Sequence, residues 1–149
     1  MEKCFPEDTA VCLGDQLISI IQSLKDCLPS HIWYGADVDA VGENATNPDL
    51  QGFQLKPIGT DLQFTQYCSR INQFIWGVFV CIDSNSSFQD IQSVELKTED
   101  EQFRSIALNG IFVEIRAFDT SYFEIYSEDE KILERISAQF NSAELTCKD

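Results

Sequence analysis

Apolar and polar positions change period several times along the chain, and each period names an element. Leu17, Ile20, Ile21, Leu24 and Leu28 share one face at helical spacing. An amphipathic helix is therefore expected over 15–28, opened by Asp15 and stopped by Pro29. Residues 31–38, HIWYGADV, read as a first strand. Trp33 and Tyr34 are adjacent there, so both are buried only if the strand is covered on both faces; otherwise one of them joins a surface. Over 39–59 the spread of Gly42, Asn44, Asn47, Pro48, Gly52, Pro57 and Gly59 predicts a long irregular loop, with Phe53 and Leu55 marking a short hidden element. Thr60 and Gln63 stand at capping-box spacing and open a short helix to about Ile71, with Leu62, Tyr67, Cys68 and Ile71 facing inward.

The run FIWGVFVCID, 74–83, is apolar on both alternating sets, as in a central strand buried on two faces. Residues 91–96 read as a weak extended segment, and 103–108 as a further strand turned back on Ile111 by Asn109-Gly110. The stretch 109–140 reads as strand, turn, strand, helix. Val113, Ile115 and Ala117 alternate with Glu114, Arg116 and Phe118. A turn at Asp119-Thr120-Ser121 follows, and Tyr122 to Tyr126 alternates again. Ser127 and Glu130 have capping-box spacing, and Ile132, Leu133, Ile136 and Phe140 form the stripe of a last helix.

Helices do not follow every strand, so the pattern favours α+β over a doubly wound fold. The expected architecture is a single domain over 1–149, with 1–13 as a loose arm. Its sheet, mixed or antiparallel, has about five strands. The N-terminal and C-terminal helices pack on one face, with a short middle helix. A chain of 149 residues, 44% apolar with 11 Phe, has enough material for a core without a metal or disulfide.

Charge narrows the function. The net charge is -15, from 25 acidic and 10 basic side chains, and no Lys/Arg cluster occurs. Nucleic-acid binding, which draws its affinity from neutralised phosphates, is disfavoured, as is an anionic membrane surface. A basic protein partner is favoured through electrostatic steering. The start of the chain lacks the basic and apolar regions of a signal peptide, and no apolar run nears a membrane span. A cytoplasmic location with six reduced cysteines is the expectation.

Sites of chemistry are scarce. Asp37-x-Asp39 begins like a calcium loop, but Val41 and Pro48 stand where oxygen ligands belong. The cysteines lack CxxC spacing and His31 is the single histidine, so no zinc site and no cofactor is expected. A Cys–His dyad would need Cys27 or Cys81 beside His31, and the simpler reading is a strand-entry histidine. Glu114 and Glu124 fall on neighbouring strands, where a contact between Glu124 and Arg116 is simpler than a catalytic carboxylate pair.

The acidic runs Glu99-Asp100-Glu101 and Glu128-Asp129-Glu130 remain, with aromatic residues nearby. They point to a non-catalytic binding protein whose surface carries Glu99, Asp100, Glu101, Glu114, Arg116, Tyr122, Glu124, Tyr126, Glu128 and Asp129. The expected partner is a basic protein, such as a toxin neutralised by an immunity-type inhibitor in bacteria. Two other readings stay open. One is a small-molecule or enzymatic domain with the 39–59 loop as lid and a pocket near His31, Asp37 and Arg116; the other is a homodimer.

Overall fold

A computed structural model describes residues 13–43, 47–85, 95–99, 110–118, 120 and 122–139. The elements are α1 (Gly14–Leu24), β1 (His31–Val41), α2 (Pro48–Gln51), β2 (Lys56–Gly59), α3 (Asp61–Cys68), β3 (Gln73–Asp83), β4 (Ile111–Phe118), β5 (Tyr122–Tyr126) and α4 (Glu130–Gln139). The five strands form one antiparallel sheet in the order β2-β1-β3-β4-β5, and the fold is α+β. The extended segment expected within 91–96 falls largely, and the strand at 103–108 entirely, outside the described residues.

Each face of the sheet has its own core. Trp33, Phe79, Cys81, Val113, Ile115, Ala117, Phe123 and Ile125 point to one side and meet Leu17, Ile20, Ile21 and Leu24 of α1, Phe64 and Cys68 of α3, and Ile132, Leu133 and Ile136 of α4. The other side carries Ala36, Val78, Val80 and Ile82, covered by Leu55 and Leu96 with Tyr34 and Ile111 packed against them. Trp33 and Tyr34 can therefore both turn away from solvent. The covering strap is made by two distant segments: Gln54 bridges Glu95, and the Leu96 amide donates to the Phe53 carbonyl.

Several boundaries differ from the sequence reading. In α1 the cap is Leu13, whose amide donates to Gln16 Oε1 at 2.9 Å; Asp15 sits inside the first turn. The helix ends at Leu24, and Cys27 and Leu28 pack from a turn. The supposed loop 39–59 is shorter than expected, because β1 runs on to Val41 and α2 and β2 occupy part of it. The Thr60–Gln63 capping box forms as expected. Within α3, however, Phe64 turns inward while Leu62 is 66% exposed. The α4 cap is Asp129, whose Oδ1 accepts the Lys131 amide. Ser127 instead donates to the Phe112 carbonyl at 2.7 Å, tying the helix entry to β4. Phe140 lies outside the described residues.

Candidate functional site

Strand register sorts the candidate residues before any chemistry is considered. On the strap side of the sheet, Val80, Glu114 and Tyr126 form one cross-strand row, Val78, Arg116 and Glu124 the next, and Trp76, Phe118 and Tyr122 the third. Alternation puts Glu114, Arg116, Glu124 and Tyr126 opposite the helices, where a partner-binding surface was expected. All four are buried there: Glu114 is 0% exposed, Arg116 and Glu124 1%, and Tyr126 6%. These four therefore do not reach a partner in this structure. A buried charge needs a partner, and Arg116 Nε donates to Glu114 Oε2 at 2.8 Å.

The same guanidinium fastens the strap. Arg116 Nη1 donates to the Thr98 carbonyl at 3.3 Å, and the Thr98 amide donates to Asp37 Oδ2 at 2.9 Å. Asp37 reaches it from a bulge in β1, with a left-handed φ of 53° that Asp tolerates better than most residues. Glu124 stands across from Arg116, yet its Oε1 is buried without a hydrogen-bond partner. Burial raises the Glu124 carboxyl above its ordinary range, opposed by the Tyr122 hydroxyl, Arg116 and the Tyr126 hydroxyl. Burial likewise pushes the Tyr126 phenol up, and Glu124 adds to it. A proton on Glu124 leaves Arg116 with one carboxylate to balance rather than two.

His31 lies on the helix side. Its Nδ1 faces the Pro29 carbonyl at 2.6 Å and its Nε2 faces Asp61 Oδ1 at 2.7 Å. Trp33 Nε1 donates to the same oxygen at 2.7 Å. The single histidine thus docks the first residue of α3 onto β1. Neither partner of the ring is a thiol, and burial, with Asp61 adding, pushes the Cys81 thiol far above the usual range. His31 and Arg116 lie on opposite faces of the sheet, with Asp37 on Arg116's side. The pocket expected near those three residues therefore has no common surface to form on.

Two of the exposed candidates, Glu128 and Asp129, sit at the start of α4. An open groove of about 680 Å³ has Ile111 and Phe112 of β4 in its wall, with Glu128, Asp129, Glu130, Lys131 and Glu134 along its rim. Four carboxylates face one ammonium there. The helix dipole accounts for acids at 128–130, in and before the first turn of α4. It does not account for Glu134, which extends the acidic line a turn further on. Sequence reasoning missed Ile111, Phe112 and Glu134, although the i, i+4 spacing of Glu130 and Glu134 was a usable signal. Glu99 is exposed on the strap, away from the groove lining, and Tyr122 is half-buried. Asp100 and Glu101 lie outside the described residues.

A second, smaller cleft of about 240 Å³ opens between α1 and α3, lined by Ile21, Gln22, Lys25, Asp61, Leu62 and Thr65. Among the described residues no group of three or more His, Cys, Asp or Glu side chains is placed to hold a metal ion. No described helix is long and apolar enough to cross a membrane. No family model, curated protein or solved structure matches the chain.

Proposed function

We propose that this protein is a non-catalytic binding protein whose acidic groove beside α4 receives a cationic, partly apolar segment of a protein partner. The observation that carries the reading is the groove itself: an apolar wall from Ile111 and Phe112 under a rim of four carboxylates and one lysine. An amphipathic basic segment meets both features, burying its apolar side against the wall and its charges against the rim. The net charge of -15 adds long-range attraction for such a partner.

Neutralisation of a basic toxin, by covering its substrate cleft, is the specific form of this reading. Charge complementarity supports it, and the form commits to occlusion as the mechanism. In the cytoplasm of a toxin-producing cell, such a protein would meet its partner before secretion. The test is a titration of isotope-labelled protein with an amphipathic lysine–leucine peptide. Amide shifts are expected to cluster at Ile111, Phe112 and residues 128–134, and Glu128→Gln with Glu134→Gln is expected to weaken binding. Shifts scattered over the whole surface, or binding indifferent to those substitutions, would overturn the groove.

A further inference from the structure

The third cross-strand row, Trp76, Phe118 and Tyr122, is aromatic throughout and lies at the opposite end of β4 from the acidic groove. Its neighbours on the same strands, Val78, Arg116 and Glu124, are buried, whereas all three of these rings are only half-buried. Phe118 and Tyr122 stack with ring centres 5.5 Å apart and planes 18° from parallel. Trp76 meets Phe118 edge-on, at 5.6 Å and 85°. The row continues onto β1 at Asp39, which pairs with Trp76 and is exposed. Three adjacent rings thus end at a carboxylate, over about 14 Å by interstrand spacing.

We propose that this row is a docking strip for arginine side chains of a basic, extended protein segment. The inference rests on the reading above that the partner is cationic, and adds a second contact with a chemistry of its own. Charge complementarity chooses the occupant, because the negative field of the chain repels anionic ligands and draws cationic ones to the strip. Ring faces attract a cation through their quadrupole. Arginine suits this strip better than lysine, because its planar group stacks on a ring while its N–H fork pairs with a carboxylate such as Asp39. An extended segment projects alternate side chains to one side about 7 Å apart, a spacing that lets two guanidinium groups lie along the row.

The probes are two extended peptides of equal charge, one alternating glycine with arginine and the other glycine with lysine. Each is titrated calorimetrically into the full chain at low ionic strength. The arginine peptide is expected to bind at least about threefold more tightly. Phe118→Leu with Tyr122→Leu keeps the strip apolar and is expected to bring the two peptides to parity. Asp39→Asn, an exposed change that does not touch the core, is expected to shrink the preference by itself. Equal binding of both peptides to the unaltered chain overturns this inference alone, since the acidic surface would still be attracting cations. An arginine preference that survives both sets of substitutions, in protein whose thermal transition is retained, also overturns it. If neither peptide binds, this inference fails, while the groove beside α4, whose occupant is partly apolar, is decided separately by the lysine–leucine peptide.

Discussion

Arg116 closes on Glu114, its neighbour two positions back on the same strand face, with Nε and Oε2 2.8 Å apart and both side chains buried. Because that guanidinium also holds the Thr98 carbonyl, one side chain links the ion pair to the strap. Removing one member leaves the other charge buried alone. Arg116→Met is expected to cost about 3–5 kcal/mol, whereas Glu114→Leu combined with Arg116→Met is expected to recover most of it. Urea unfolding of the two single variants and the pair measures this. Additive losses would show that the two residues do not act as a pair.

Glu124 gives the fold a pH dependence of definite sign. Its carboxyl titrates above the ordinary range when folded, so the native state holds that proton more tightly than the unfolded chain does. The stability it contributes is complete below the unfolded pKa of about 4.3 and is lost as pH rises through the folded value. Glu124→Gln cannot ionise and removes this loss. Denaturation midpoints of both proteins, followed from about pH 4 to about pH 8, should diverge upward in favour of the glutamine variant. Parallel profiles would mean that Glu124 is not held protonated.

Gly14 and Gly52 make a matched pair. A Cβ at Gly14 would collide with the backbone carbonyls of Cys68 and Ile71, where the start of α1 meets the end of α3. Gly52 has nothing within 4 Å and a φ of -77°, open to any residue. Gly14→Ala is expected to destabilise by about 1–3 kcal/mol. Gly52→Ala is expected to stabilise by about 0.4–1 kcal/mol, by restricting the unfolded chain. Thermal melts of the two variants should move in opposite directions.

Thiol reactivity reports the helix-side core. Cys68 and Cys81 are buried, and burial holds both thiols far above the usual range. Half-buried Cys27 sits outside that seal. In the native protein at mildly alkaline pH an alkylating reagent should label Cys27 well before Cys68 or Cys81, as read by peptide mass spectrometry. Labelling of Cys81 at the rate of Cys27 would show that the core opens where Trp33 and Asp61 close it.

Much of this architecture was written locally. The Thr60–Gln63 cap, the doubly apolar run of β3 and the alternation across β4 and β5 each depend on residues close in sequence, and each formed. What was not legible depended on distant segments. Glu114, Arg116, Glu124 and Tyr126 read as part of a binding surface because polar residues alternated with apolar ones. They are buried all the same: the carbonyl of Thr98, on a segment that bridges to 53–55, accepts from the Arg116 guanidinium, which in turn holds Glu114. The hint lay in Val78, Val80 and Ile82, whose second apolar set required a cover, and that cover reaches Arg116 beside Val78. Ser127 accepts the Asp129 amide rather than that of Glu130 and donates to a tertiary carbonyl, Phe112 O, a partner that helix spacing cannot anticipate. For the candidate site, the acids at 128–129 were legible from composition. Their apolar wall from Ile111 and Phe112 was not, since only the antiparallel pairing of β4 with β5 brings the two ends together.

Electrostatic recognition at the groove beside α4 is the proposal from which the cationic-partner reading follows. The most direct measurement is the affinity of the amphipathic lysine–leucine peptide as a function of added salt, for the unaltered chain and for Glu128→Gln with Glu134→Gln. Affinity for the unaltered chain is expected to fall at least about tenfold as the Debye length shrinks from about 10 Å to about 3 Å, and the variant is expected to show a shallower slope. An affinity that holds constant across that range, or identical slopes for both proteins, would contradict it.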